Sequence, residues 1–400
     1  MPIHRWFHYY AGFSAQWLGG LLRERSGSGR LRVLDPFAGS GTALIEAERA
    51  GAEAIGLEPH PFINRVARAK LLWREDAGGF VKYCEGLVAD ARTERVDVGP
   101  ENTLLQRCYA PDVLGDLVAL RTAWLRRADG APTSELAWLA LSAALRDCTA
   151  VSSNQGQYIL PNHAKMNGAT GIGAFEARYR AMVHDMVLAQ AEGRSGGATI
   201  LQEDARSCRG VPSEWADFVV TSPPYANNYD YADATRLEMT FFGEVERWGD
   251  LQDIVRRHLL RSSTQHVSKD VSQTFAHLQD ELLRPIRDEL AAVCQSLVLE
   301  REEHGGKKNY HTMLVLYFLD LAAVWRSLRR VVRAGGEACF VIGDSAPYGV
   351  YVPVERWLAE LALASGFRSW RFEKLRDRNV KWKNRKHRVP LKEGLLWVAG

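Results

Sequence analysis

The chain has 400 residues, 46% of them hydrophobic and 25% charged, with a formal net charge of +3 at neutral pH. That length exceeds one ordinary domain and leaves room for a large core, and the composition excludes a disordered or low-complexity chain. So small a charge excludes bulk electrostatics as the mark of a nucleic-acid partner, and any phosphate-binding surface must come from local clusters of Lys and Arg.

Taken in chain order, Leu31 to Pro36 is a short apolar run that ends in a Gly-rich turn, Ala38-Gly39-Ser40-Gly41-Thr42. A helical pattern from Ala43 to Ala50 follows, and Ala54 to Leu57 reads as a second strand tipped by Glu58. This is a βαβ unit with the spacing of a nucleotide-binding half. From about Asn64 to Gly197 helical periodicity dominates, over Leu104 to Arg127, Glu135 to Cys148 and Phe175 to Ala191, which predicts a helical insertion. Strands resume at Ala198 to Leu201 and Ala216 to Thr221, and Asn227 to Asn309 is polar and helical with no convincing strand. A helix from His311 to Val332 is expected to stop at Arg333-Ala334-Gly335-Gly336, before a buried strand from Glu337 to Gly343. Val354 to Ser365 reads as a helix, and Phe367 to Leu375 with Glu393 to Val398 as an edge hairpin. The six cysteines, Cys84, Cys108, Cys148, Cys208, Cys294 and Cys339, form no CxxC pair and read as reduced structural thiols, with no metal expected. The first residues lack the apolar core of a signal peptide, and Met313 to Trp325 carries Asp320 and is too short to span a bilayer. No membrane partner is expected, and the location is read as cytoplasmic.

The octet Asp35-Pro36-Phe37-Ala38-Gly39-Ser40-Gly41-Thr42 sets backbone N–H groups and a helix N-terminus beside a carboxylate. The helix end favours a ligand carboxylate and Asp35 can hold a cationic amine, which together match the methionine end of S-adenosylmethionine; Glu58 stands where a ribose-binding acid belongs. A Gly-rich turn alone is also an ordinary tight turn, and the full octet is the more specific sign. Asp204, after the third strand, is placed to accept from the adenine amine or to cap a helix. Thr221-Ser222-Pro223-Pro224-Tyr225 ends a further strand at the ligand-binding edge. Its prolines fix a loop that presents carbonyl oxygens and the Ser222 hydroxyl. Such oxygens can take the hydrogens of an exocyclic base amine and turn its lone pair toward a methyl donor, with Tyr225 stacked on a flipped base. In isolation Ser-Pro-Pro-Tyr is equally a strand-terminating turn.

The pair DPFAGSGT and TSPPY, in that order on two predicted strand ends, resembles motifs I and IV of the DNA amino-methyltransferase family. The resemblance implies an α/β fold, a Rossmann-like seven-stranded methyltransferase sheet with large helical insertions. It implies S-adenosyl-L-methionine bound by Asp35, Pro36, Phe37, Gly39, Gly41, Thr42, Glu58 and Asp204, and catalysis by Ser222, Pro223, Pro224 and Tyr225. His4 to Ser14 resembles the segment that precedes motif I in part of the family, which adds Phe13 and Ser14 to the cofactor set. GGEACFVIGDS resembles the strand and turn that follow the catalytic motif. Serine at the first position of the tetrapeptide is typical of cytosine-N4 enzymes, so Ser222 points to cytosine N4, with adenine N6 the alternative; a hydroxyl can both accept from N4 and donate toward N3. A cytosine-C5 enzyme would need a nucleophilic cysteine in a Pro-Cys context, which none of the six has.

On this reading the methyltransferase domain is discontinuous, residues 1–64 and 198–400, with a helical insertion at 65–197 as a target-recognition region and a second elaboration at 245–310. Double-stranded DNA is the expected partner, beside a cognate restriction endonuclease acting separately, in a prokaryotic nucleoid setting. Arg378, Lys381, Lys383, Arg385, Lys386 and Arg388, with Trp382 among them, are read as a phosphate-gripping loop or as a solvated hairpin. Arg256, Arg257, Arg261 and Lys269 form a second candidate strip, and polar Ser152 to Gly173 offers side chains suited to base edges. Asn227, Asn228, Tyr229 and Tyr231 are placed to line a flipped-base pocket. An RNA base methyltransferase and a catalytically silent DNA-binding subunit are the remaining readings.

Overall fold

The computed structural model describes residues 1–9, 13–27, 30–149, 169–193, 196–227, 229–267, 272–378 and 389–400. In chain order the helices are α1 (Ala15–Arg25), α2 (Thr42–Arg49), α3 (Pro61–Leu71), α4 (Ala77–Thr93), α5 (Thr103–Cys108), α6 (Pro111–Arg127), α7 (Pro132–Asp147) and α8 (Gly171–Gln190). They continue with α9 (Arg236–Phe241), α10 (Leu251–Ile254), α11 (Thr274–His277), α12 (Arg287–Glu303), α13 (Tyr310–Val331) and α14 (Val354–Ala364). The strands are β1 (Arg32–Asp35), β2 (Glu53–Leu57), β3 (Gly197–Leu201), β4 (Ala216–Thr221), β5 (Val332–Gly343), β6 (Ser369–Arg378) and β7 (Leu391–Ala399). They form one seven-stranded sheet in the order β3-β2-β1-β4-β5-β7-β6, parallel except for β7, which runs antiparallel to both neighbours. This is the Rossmann-like methyltransferase arrangement, with the expected hairpin at one edge.

The inner strands β1, β4, β5 and β7 are largely buried on both faces, so their alternation divides apolar residues between two cores, whereas the edge strand β6 is mostly exposed. Val33, Phe218, Val220, Cys339, Val341, Leu395 and Trp397 point toward α1 and α2. Their neighbours Leu34, Val219, Ala338, Phe340, Ile342, Leu396 and Val398 point toward α13 and α14. Trp325 of α13 stacks on Phe340 of β5 with ring centroids 4.3 Å apart, and truncating either ring would cost about 3–5 kcal/mol. A third core gathers α3 to α8 with the N-terminal Ile3, Trp6 and Phe7 and with Leu237 to Leu259.

The predicted elements meet three corrections. Leu104 to Arg127 is two helices, because Pro111 has no N–H and opens α6 as its first residue. Gly335 and Gly336 do not end a helix. α13 ends at Val331, β5 starts at Val332, and Gly335, at φ 75°, lies in an irregularity where Ala216 pairs with Val332 but Phe218 with Glu337. The hairpin strands are longer than expected, reaching Arg378 and starting again at Leu391, and no strand occurs among the described residues of 227–309. Among the described residues no helix is long and apolar enough to cross a membrane, and no group of His, Cys, Asp and Glu could hold a metal ion. All six cysteines are buried and none is in a disulfide.

Candidate active site

Parallel pairing in register brings the strand ends to one edge: Asp35 faces Gly56, Leu34 faces Val219, and Leu57 faces Leu201. Glu58, Asp204 and Ser222 follow directly, so residues far apart in sequence line one pocket with about 800 Å³ of empty space, its mouth included. The turn after β1 makes the floor. Gly39 and Gly41 take φ 50° and 88°, which side chains rarely adopt, and a Cβ on Gly41 would lie 3.3 Å from that of Ala67. The turn is pinned by Ala38 N–H donating to the Leu57 carbonyl at 3.0 Å and Gly41 N–H to the Ala38 carbonyl at 2.9 Å. Pro36, Phe37, Gly39 and Thr42 line the pocket; Gly41 instead sets the backbone that starts α2.

Two carboxylates stand in this edge almost without water. Asp35 is 2% and Glu58 8% exposed. Burial pushes Asp35 up to about 7 against the opposing hydrogen bonds from Thr221 Oγ1, 2.6 Å, and Phe37 N–H, 3.0 Å. Burial also pushes Glu58 up to about 7; it accepts from His60 N–H at 2.8 Å and Gly39 N–H at 3.1 Å, and the charge of Asp35 adds to the rise. Asp204 caps no helix. It closes a turn by accepting from Arg206 N–H at 2.8 Å, and the Arg206 guanidinium is shared between Asp204 and buried Asp320.

The loop from Ser222 to Tyr225 leaves β4 beside Asp35. Ser222 and Pro224 line the pocket, Pro223 is buried, and the Pro224 carbonyl accepts from Tyr317 Oη of α13 at 3.0 Å. Tyr225 packs outside the pocket lining, beneath the Arg378 guanidinium at 5.2 Å from the ring centre; burial, reinforced by the charge of Glu393, pushes its hydroxyl up to about 12. Tyr231 does line the pocket, with Tyr229 edge-on at 4.7 Å. Asn227 is exposed, and Asn228 lies outside the described residues.

Other expected residues are placed differently. Phe13 lines the pocket, whereas Ser14 is exposed and its hydroxyl caps α1 by accepting from Trp17 N–H at 3.3 Å. Arg378 is occupied inside the fold: its Nη1 donates to the Asp344 carbonyl at 2.9 Å. Lys381, Lys383, Arg385, Lys386 and Arg388, like Lys269, lie outside the described residues, and so does most of Ser152 to Gly173. Of the second basic strip, Arg256 is 2% exposed and pairs with Asp230 at 2.8 Å, which takes it off the surface; half-buried Arg261 pairs with Asp320, and Arg257 is exposed.

Tyr9, Arg206 and Leu259-Leu260 also line the pocket and were not singled out from sequence. Tyr9 sits against Gly39, where a Cβ would meet its ring at 3.6 Å. It is held there by a strap. Asp185 of α8, fully buried, accepts from Ile3 N–H, Arg5 and Trp6 Nε1 at 2.6–3.1 Å. Lys70 of α3, also buried, donates to the His4 and Phe7 carbonyls at 3.2 Å each, and burial lowers it to about 7. Tyr9 lies within the His4 to Ser14 segment read from sequence, but that resemblance drew out Phe13 and Ser14 instead, and the place of Tyr9 depends on residues 61 and 176 positions away.

A turn of backbone donors at a helix start beside two buried carboxylates, Asp35 and Glu58, is chemistry that fits S-adenosylmethionine, at the ligand-binding edge of this sheet. Comparison with known proteins points the same way. The Type II methyltransferase M.AvaI, from Nostoc and from Anabaena variabilis, is 24% identical over 92% of this chain and 79% of its own length. The Type II methyltransferase M.BsoBI of Geobacillus stearothermophilus is 22% identical over 94% of this chain and 81% of its own. Among solved structures, the rRNA methyltransferase aviRa of Streptomyces viridochromogenes aligns over 98% of this chain and 89% of its own at 13% identity. Its TM-score of 0.32 is too low to bear on the fold. No protein-family model matches the chain.

Proposed function

We propose that the chain is an S-adenosylmethionine-dependent DNA methyltransferase that modifies an exocyclic base amine, and that the base is cytosine, at N4. The observation that carries this reading is the 2.6 Å hydrogen bond from Thr221 to Asp35. It ties the last residue of β4, which leads into the amine-presenting loop, to the carboxylate that would hold the cofactor amine, so the two half-sites share one support.

When bound, the cofactor supplies an electrophilic methyl group on a sulfonium. The chain's own part is binding and orientation. The N–H groups at the start of α2 would face the cofactor carboxylate, Asp35 its amine, Glu58 its ribose hydroxyls, and Tyr9 and Phe13 would wall the pocket. With the Pro224 carbonyl already accepting from Tyr317, the amine hydrogens fall to Ser222 Oγ and the Pro223 carbonyl. Tyr225, clamped beneath Arg378, offers a preset stacking face for an extruded base. The hydroxyl of Ser222 favours cytosine, and the likeness to two Type II methyltransferases supports DNA as substrate. Sequencing that reads N4-methylcytosine and N6-methyladenine separately, on DNA from a host expressing the chain, tests this. N4-methylcytosine in one short motif is expected; N6-methyladenine at the motif would move the assignment to the adenine alternative, and unmodified DNA would remove it.

A further inference from the structure

A second cavity, about 1580 Å³ of empty space with its mouth included, adjoins the catalytic loop. The loop gives Ser222 and Pro224 to the cofactor pocket and Ala226 and Asn227 to this one. The other walls come from the α12–α13 connection, from the turn after β5, and from Arg378 and Leu391 of the edge hairpin. The wall from the α12–α13 connection is basic and aromatic. Lys307 and Lys308 are exposed, and no carboxylate of the described residues forms an ion pair with either, unlike the guanidiniums of Arg206, Arg256 and Arg261. Tyr348 stacks on His304 with centroids 4.4 Å apart and a 21° interplanar angle, and Tyr310 meets it edge-on at 4.8 Å. Asp344 is the only acid lining the cavity among the described residues, and its carboxylate accepts from Tyr351 Oη at 3.0 Å.

We propose that this cavity holds the target strand next to the extruded nucleotide, with Lys307 and Lys308 neutralising its phosphates and Tyr348 serving as a platform for a neighbouring base or sugar. Positive charge without a carboxylate partner among the described residues, set beside an aromatic shelf with Lys308 Nζ 5.7 Å from the Tyr310 ring centre, is the chemistry that binds a nucleic-acid strand without reading its sequence. The continuity of the loop between the two cavities places such a strand beside Ser222. The proposal rests on the DNA reading above.

The test is binding of unmethylated duplex DNA over a range of salt concentrations, with cofactor binding measured in parallel. Lys307→Gln with Lys308→Gln should weaken DNA binding about tenfold at low salt and reduce the slope of log affinity against log salt by about 1–2, leaving cofactor affinity unchanged. Tyr348→Ala should weaken binding about tenfold with the slope unchanged. A lysine double variant with wild-type affinity and slope, on a wild-type chain that does bind DNA, would overturn the proposal. A wild-type chain that binds no DNA would overturn the DNA reading and the proposal with it, a deficit that precedes any substitution.

Discussion

The floor and the wall of the pocket at the strand ends are built by opposite means. The floor is a contiguous turn, Asp35 to Thr42, whose geometry is set by two glycines and by hydrogen bonds to the adjoining strand. The wall residue Tyr9 belongs to an N-terminal strap held by two buried charges of distant helices, Asp185 and Lys70. A site can therefore be specified locally where backbone must touch ligand and globally where only a surface must close over it. The helical insertion, expected from sequence to read DNA, contributes to the second task through α8.

Substitutions separate these tasks by size of effect. Ser222→Ala leaves floor and wall intact and removes an amine acceptor, so cofactor affinity should stay within about twofold while methyl transfer falls about 10²–10³-fold. Equal losses of both in a single-turnover assay would contradict that division. Asp35→Asn strikes the floor and should weaken cofactor binding by about tenfold or more, read by calorimetry. Asp185→Leu strikes the wall: it leaves the buried Ile3 N–H and Trp6 Nε1 without their acceptor, at about 2–3 kcal/mol of stability. Half-exposed Arg5 adds little. Cofactor KM should rise while kcat holds, and a normal KM in a folded variant would detach the strap from the pocket.

The smallest effect expected is one of pH. Burial holds both Asp35 and Glu58 at about 7, so from about pH 4 to 7 the folded, cofactor-free chain keeps protons that the unfolded chain has released. Stability should then fall as pH rises through that window. A cationic cofactor amine favours ionised Asp35, so cofactor should bind up to about tenfold more weakly at pH 6 than at pH 8, a difference that Asp35→Asn abolishes. A flat profile in the wild type would show that Asp35 is already ionised without ligand.

Legibility in the sequence follows the same line. The strand-turn-helix at Leu31 to Ala50, the tip acid Glu58 and the tetrapeptide at Ser222 were readable because each is a local pattern with a local cause. Gly335 was misread because a glycine pair after a helix serves equally as a helix stop and as a strand irregularity, and pairing with β4 decides between them. Arg378 and Arg256 were read as surface cations because a basic run does not reveal its partners; Tyr225 with the Asp344 carbonyl, and Asp230, claim them in the folded chain. Lys307 and Lys308 drew no attention as a pair, and only the cavity around them gives them a meaning.

The most direct measurement is the identity of the nucleoside that receives the methyl group. With methyl-labelled S-adenosylmethionine and unmethylated bacterial DNA, followed by digestion and mass spectrometry, the label should appear in N4-methylcytosine and nearly vanish in Ser222→Ala. Label on cytosine C5, or undiminished transfer by Ser222→Ala, would contradict the account of an amine held by this loop.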